Sequence, residues 1–476
     1  MLFNSIEFLL FLPTVFVLYW FVVNKKLKYQ NLLILVSSYI FYGWWDYRFL
    51  SLIFLSTVVD YFIGLNISKN DSEKKQKLLL WCSVLFNLSV LGFFKYYNFF
   101  VDSWIDSFSS LGYEIKSVWT LNIILPVGIS FYTFQTMSYA IDIYKEKLKP
   151  TKDFISFASF VSFFPQLVAG PIERASNLLP QILKKRVFKY EQGVQGLRLI
   201  LWGMFKKVVI ADSLAPMVND IFGNYQELGG GTLWLGIIYF AFQIYCDFSG
   251  YSDIAIGTSK LFGFELMSNF KFPYFSRNIG EFWRRWHISL STWFRDYLYI
   301  PLGGSKNGRW KSLRNIFIIF LVSGVWHGAN WTFIFWGLFH SILFLPSFLY
   351  NTNRKYTTSI IAQNTLLPSP KELIKVLTTF LLVTIGWVFF RSKTLEDSFN
   401  YLNKIIFEFD INLSETSGIL YIIPLIILDY MIRSNERNIN FTKNKLANNS
   451  LFILFVMIIV LLFFKETRVG FIYFQF

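Results

Sequence analysis

A chain of 476 residues that is 54% hydrophobic and 21% aromatic, with 56 Phe and 16 Trp, carries too much apolar surface for an ordinary soluble protein. Its net charge of +15 would suit a nucleic-acid partner, but the Lys and Arg residues sit in short loops beside apolar runs, which assigns them to the membrane surface. Cys82 and Cys246, each within an apolar stretch, outline no disulfide framework.

Apolar runs of span length recur from one end to the other, so the expectation is an all-α polytopic membrane protein forming a single domain over residues 1–476. The first run, Ser5 to Val23, lacks a basic leader and a small-residue cleavage site and reads as a retained helix. Further runs follow at Asn31 to Trp45, Leu50 to Ile67, Leu78 to Phe94 and Leu121 to Ile143, with a connection carrying Asp102, Asp106 and Glu114 before the last of these. The strongly basic loops NKKLKYQ, SKNDSEKKQK and YKEKLKPTK fall after alternate runs, which puts them in the cytoplasm and the N-terminus outside.

Phe154 to Ile172 is flanked by basic residues on both sides and broken by Pro165, Gly170 and Pro171, the pattern of a re-entrant segment lining an enclosed cavity. Leu197 to Ile221 has Lys206 and Lys207 at its centre, as an in-plane helix would. Leu233 to Leu261 is interrupted by CDFSGYSD and reads as two shorter helices. A basic cytoplasmic segment from Arg277 to Arg314 leads into two apolar runs, Asn315 to Trp326 and Trp331 to Leu345, on either side of WHGAN. Later spans are expected at Val376 to Phe390, Ile419 to Ile432 and Leu451 to Phe464, leaving the C-terminal tail outside.

All three histidines, His287, His327 and His340, fall between Glu281 and Ser341. An ionisable side chain within a membrane segment is costly and marks a functional site by default, and imidazole exchanges protons near neutral pH. His327 therefore reads as a catalytic base, with Gly324 and Gly328 leaving room for a substrate; a packing histidine satisfied by a neighbour is the alternative. His340, among Phe and Leu, reads as structural. His287 lies in WRRWHISLSTWFRD, whose spacing allows one amphipathic helix with Trp283, Trp286, Leu290 and Trp293 near one face. That helix either anchors at the interface or uses Arg284 and Arg285 to hold a phosphate-bearing acyl donor. Asn330 is a candidate for orienting a catalytic group, and Asp247 and Asp253 for orienting a base or pairing with a cation. No zinc spacing, P-loop, GxSxG or dinucleotide fingerprint occurs, and nothing calls for a metal or a resident cofactor.

The stretches LPVGISFYTFQTMSYAIDIY, FFPQLVAGPIER, YCDFSGYSDIAIG, EFWRRWHISLSTWFRDYLYIPLGG, VWHGANWTFIFWG and GWVFFRS resemble the membrane-bound O-acyltransferase family, and within it the bacterial alginate and peptidoglycan O-acetylation branch. The resemblance implies a ring of tilted helices with re-entrant segments around a central tunnel, in a bacterial inner membrane. It matches His327 to the family's catalytic histidine and His287 to the second histidine near the tunnel. FIYFQF at the C-terminus resembles an aromatic motif whose tyrosine, here Tyr473, is proposed to carry the acyl group to an extracytoplasmic SGNH-type acetyltransferase acting on a polysaccharide. An interfacial aromatic belt is the plainer reading of the same residues. The expected activity is acetyl transfer from acetyl-CoA; D-alanyl transfer of the teichoic-acid type and a glycan-precursor flippase stand as alternatives.

Overall fold

The computed structural model describes residues 1–113, 120–168, 170–306, 308–410, 415–463 and 470–474. Among these there is no strand, and six helices are long and apolar enough to cross a membrane. The protein is an all-helical polytopic membrane protein. The Gly230–Leu261 helix is the least apolar of the six, with mean hydropathy 1.2, and is 83% buried; the Lys445–Phe463 helix has mean hydropathy 2.5 and is 22% buried. The most buried of the six is thus the least apolar, because its polar side chains find partners inside the protein.

The chain clusters into two compact units. Unit 1 comprises Met1–Gly193 and Ser259–Leu266. It holds α1 (Ile6–Val17), α2 (Leu27–Gly43), α3 (Leu50–Lys69), α4 (Glu73–Leu91), α5 (Tyr97–Ser110), α6 (Ile129–Tyr144), α7 (Phe154–Val161), α8 (Phe164–Leu167) and α9 (Ala175–Ile182). Helices α3 and α4 are locked by Asp60, buried and accepting from Ser83 Oγ at 2.5 Å and Asn87 Nδ2 at 2.8 Å. Arg186 Nε donates to Tyr19 Oη at 2.6 Å, and its Nη2 to Asn31 Oδ1 at 2.7 Å, tying α2 to the turn after α1.

The expected connection bearing Asp102 and Asp106 is helical instead, because both carboxylates are exposed on α5 and cost nothing there; Glu114 lies outside the described residues. The expected start of the next span at Leu121 is delayed to Ile129: Pro126 lacks an N–H, and Gly128 sits at φ +75° with the Leu167 carbonyl 2.5 Å from where a Cβ would be. Phe154 to Ile172 is broken as anticipated. The chain turns between α7 and α8 with the Phe164 N–H bonded to Ser38 Oγ at 3.0 Å, so the break is satisfied from within the protein.

Unit 2 comprises Val194–Thr258 and Met267–Phe476. It holds most of α10 (Tyr190–Met204) and of α12 (Gly230–Leu261), and all of α11 (Asp212–Gly223), α13 (Ile279–Arg285), α14 (Ile288–Phe294), α15 (Arg309–His327), α16 (Trp331–Leu349), α17 (Pro370–Arg391), α18 (Leu395–Phe407), α19 (Ile419–Met431) and α20 (Lys445–Phe463). A π-helical segment, Phe205–Ala211, joins α10 to α11.

Where two shorter helices were expected, α12 runs unbroken for 32 residues. Its carboxylates are paired: Asp253 with Lys206 at 2.6 Å, and Asp247 with Lys207 at 2.6 Å. Ser249 Oγ accepts from Lys206 at 2.9 Å, so no polar group has to break the helix to find a partner. Both lysines are buried within the protein. A Cβ on Gly203 would stand 2.5 Å from the Gly250 carbonyl, and this glycine-to-glycine approach brings the two lysines onto α12.

Candidate active site

His327 is the last residue of α15 and is buried, its ring 5.0 Å from that of Trp336 and 5.3 Å from that of Phe390, centroid to centroid. The helix ends because Gly328 is extended and Asn330 caps the next one. Asn330 Oδ1 accepts from the Thr332 N–H at 3.0 Å and its Nδ2 donates to the Lys393 carbonyl at 3.0 Å. Asn330 thus shapes the turn that follows His327, with both ends of its amide engaged. The flanking glycines leave no room for a substrate. The Phe333 carbonyl fills the place of a side chain at Gly324, and the Phe333 ring fills it at Gly328, so both glycines serve the packing of α15 on α16.

His287 overturns the single amphipathic helix expected here. Its backbone is left-handed, φ +42° and ψ +55°, and divides the segment into α13 and α14. The neighbouring Ile288 N–H is taken by the Asn269 carbonyl at 2.9 Å, off the helical ladder. Such a conformation in a residue with a Cβ costs about 1–3 kcal/mol and is held by its surroundings. It directs a buried imidazole to within 6.5 Å of His327, between Phe248 at 4.7 Å and Trp326 at 5.8 Å. Neither ring nitrogen has a hydrogen-bond partner among the described residues, and desolvation pushes its pKa down, keeping the ring neutral.

The described tail residues, 470–474, run along α12. The Tyr473 ring lies 5.8 Å from His327 and 4.5 Å from Phe248. Phe471 is fully buried against Tyr251 at 4.4 Å, and the Ile472 N–H donates to Asp247 Oδ2 at 2.6 Å. Desolvation, and after it the charge of Asp247, pushes the Tyr473 phenol above its ordinary pKa, so it is a neutral hydroxyl and a poor nucleophile without a base. Phe476 lies outside the described residues.

Four of the residues singled out in the sequence, His287, His327, Asp247 and Tyr473, therefore converge. Arg284 and Arg285 do not join them. Arg284 donates to the Asn353 and Tyr356 carbonyls, and Arg285 pairs with the buried Glu281 at 2.8 Å and bonds the Ser359 carbonyl at 3.0 Å. His340 packs between Trp283 at 5.0 Å and Trp336 at 4.9 Å, its ring meeting Gly386. The sequence reading gave Lys207 to an in-plane helix and passed over Asp212; Lys207 bridges Asp247 and Asp212 at 2.6 Å and 2.7 Å. The signal was the co-occurrence of cations and carboxylates in neighbouring apolar runs, which must pair if both are buried.

A cavity of about 630 Å³ lies elsewhere in unit 2, lined by none of these four residues. Arg295, Arg309, Arg354 and Ser305 line it, and Phe320 and Phe344 form its apolar side. From Phe320 a continuous aromatic wall leads inward through Trp283 at 5.4 Å and Trp336 at 5.6 Å to His327.

Residues 145–358 match the model of the membrane-bound O-acyltransferase family. The chain is 43% identical over 398 residues to the probable alginate O-acetylase AlgI of Pseudomonas syringae pv. tomato, covering 83% of this chain and 73% of that protein. It is 36% identical over 439 residues to the peptidoglycan O-acetyltransferase of Helicobacter pylori, covering 85% and 80%. Similarity to the teichoic acid D-alanyltransferase of Bacillus subtilis is lower, 29% over 295 residues, covering 57% and 70%.

Proposed function

From the premise that this chain belongs to the membrane-bound O-acyltransferase family and is an acyltransferase, we propose that it transfers acetyl from cytoplasmic acetyl-CoA to Tyr473, for O-acetylation of a polysaccharide outside the cell. The observation that carries the relay is the Tyr473 ring 5.8 Å from His327, at the end of a tail gripped by α12.

In this reading the donor's phosphates lie among Arg295, Arg309 and Arg354, and its thioester follows the aromatic wall inward. The imidazole of His327 takes the phenolic proton as the Tyr473 oxygen attacks the acetyl carbon. Neutral His287 donates a hydrogen bond toward the carbonyl oxygen as negative charge develops there. The C–S bond breaks, the sulfur leaves with the proton from His327, and acetyl is left as an ester on Tyr473. An extracytoplasmic SGNH-type acetyltransferase then takes the acetyl group and delivers it to a polysaccharide hydroxyl. The names of the relatives point to alginate or peptidoglycan as the class of acceptor.

Membrane vesicles of the two orientations test donor identity and side together. Everted vesicles, cytoplasmic face out, are expected to incorporate label from acetyl-labelled acetyl-CoA into protein-bound ester, and right-side-out vesicles not. Incorporation only by right-side-out vesicles would reverse the direction. Incorporation by neither, with labelling from a D-alanyl thioester, would move the chain to the D-alanyl reading.

The cavity makes a separate prediction. Arg354 is exposed at its rim, and Arg354→Ala removes a phosphate contact far from His327. The KM for acetyl-CoA is expected to rise by about tenfold, the loss of one charge-assisted hydrogen bond, with kcat little changed. An unaltered KM would take the donor out of this cavity.

A further inference from the structure

The relay leaves open what brings a short tail to one place and sets one ring against His327. Three residues on one face of α12 contact three consecutive tail residues: Tyr251 the Phe471 ring, Asp247 the Ile472 N–H, and Phe248 the Tyr473 ring. Positions 247 and 248 lie four and three residues before 251, so both neighbour it on one helix face. The central contact is the unusual one. A carboxylate buried in a membrane protein is held in place by a cation or by hydrogen bonds to each oxygen. Here one oxygen of Asp247 faces Lys207 at 2.6 Å and the other takes the tail's main-chain N–H at 2.6 Å. Lys207 also pairs with Asp212 at 2.7 Å, so its charge is shared between two carboxylates and the second Asp247 oxygen is left to accept from elsewhere. The positive end of a peptide N–H is suited to meet it.

The supporting geometry lies in the backbone. The π-helical turn Phe205–Ala211 places Lys207 against α12, where a Cβ on Gly250 would come 3.2 Å from the Lys207 backbone nitrogen. Single-turn π segments recur at functional sites, and this one brings the lysine to Asp247.

We propose that the Lys207–Asp247 pair is the docking site of the C-terminal tail, gripping the main chain at Ile472 and so positioning Tyr473 for acyl transfer. The proposal rests on the relay described above. Asp247 and Lys207 are positioning residues: they touch the tail, not the acetyl group. Because the grip is a hydrogen bond from the backbone, it tolerates changes of side chain at 472 and fails when the N–H is lost.

The test separates docking from chemistry. With p-azidophenylalanine in place of Tyr473 no ester can form, yet irradiation reports where the tail lies. Adducts are expected on the α12 peptide containing Phe248. Ile472→Pro removes the N–H while keeping a backbone suited to the first position of the Ile472–Phe474 turn. It should lower adduct yield by about tenfold to a hundredfold, the weight of one hydrogen bond to a charged acceptor. Asp247→Ala should do the same, and Ile472→Val should retain the adduct. Undiminished adduct with Ile472→Pro overturns the docking site, and because that change is confined to the tail, misfolding of the Asp247 variant does not spoil the result. In the otherwise unaltered protein, Ile472→Pro should slow acetylation of Tyr473 with the KM for acetyl-CoA unchanged. Should adduct depend on the Ile472 N–H while Tyr473→Phe still acetylates polymer, the docking site stands and the relay falls.

Discussion

Polysaccharide O-acetylation is expected to disappear in His327→Gln and His327→Ala while both proteins still reach the membrane. Loss of a general base costs about 10²–10⁴-fold in rate. Here the base stands beside a phenol whose pKa is raised, so the upper end of that range is expected. Gln is the more telling substitution. His327 is wedged against Trp326, Trp336 and Phe390, and removing the ring altogether leaves a cavity with its own stability cost. Gln fills most of that space with a polar side chain that cannot act as a base near neutral pH. The measurement is ester acetate on purified polymer, normalised to the amount of protein in the membrane and to its melting temperature. Near-normal acetylation by either variant would remove His327 from the chemistry and leave it a packing residue. His340→Ala is the contrast, because that ring is enclosed by Trp283, Trp336 and Phe339: activity should persist while the melting temperature falls.

How much of this was legible in the sequence depends on what each residue has to do. His327 stood out because an ionisable side chain in an apolar run demands a reason, and local composition suffices to see that. The general run of spans was legible for the same cause: lipid-facing helices such as Lys445–Phe463 are apolar nearly all round. Reading failed where polarity is reconciled by a distant partner. CDFSGYSD looked like a helix break because Asp247 and Asp253 have no local partner, yet Lys206 and Lys207, some forty residues earlier, neutralise both, and α12 passes through. The left-handed turn at His287 was hidden too, because nothing in WRRWHISLS marks a backbone conformation that a loop carbonyl at Asn269 imposes from outside. Arg284 and Arg285 were read as free cations for a donor when Glu281, one helical turn away, already claims Arg285. Of the arginines that do line a cavity, Arg295 and Arg309 belong to the basic segment Arg277 to Arg314, but Arg354 comes from beyond α16, so the segment alone does not show the three together.

Tyr473→Phe is expected to abolish transfer to polymer with no loss of fold, and it distinguishes a relay from an anchor more sharply than any deletion of the tail. The substitution removes one oxygen. The ring stays stacked near Phe471 and Phe248, Phe471 stays against Tyr251, and the Ile472 N–H keeps Asp247. Every interaction that seats the tail is thus preserved, and only the atom that would bear the acetyl group is gone. If Tyr473 merely anchors the tail, Phe is at least as good a residue, being cheaper to bury. If it carries acetyl, no other hydroxyl on residues 470–474 can replace it, since that stretch has none besides Tyr473. The pH dependence follows from the same chemistry. With the phenol's pKa pushed up by burial, loading should show no rise from ionisation of the phenol itself across the neutral range, and a rate that climbs with the phenol's ordinary titration near pH ~10 would contradict the buried seat of Tyr473. Wild-type protein incubated with acetyl-CoA without the extracytoplasmic partner should accumulate acetate on the tail peptide as an ester, labile to hydroxylamine and located at Tyr473 by mass spectrometry. Normal polymer acetylation by Tyr473→Phe would make the tail a plug, and the acetyl group would have to leave the His327 site directly on an incoming hydroxyl of the acceptor.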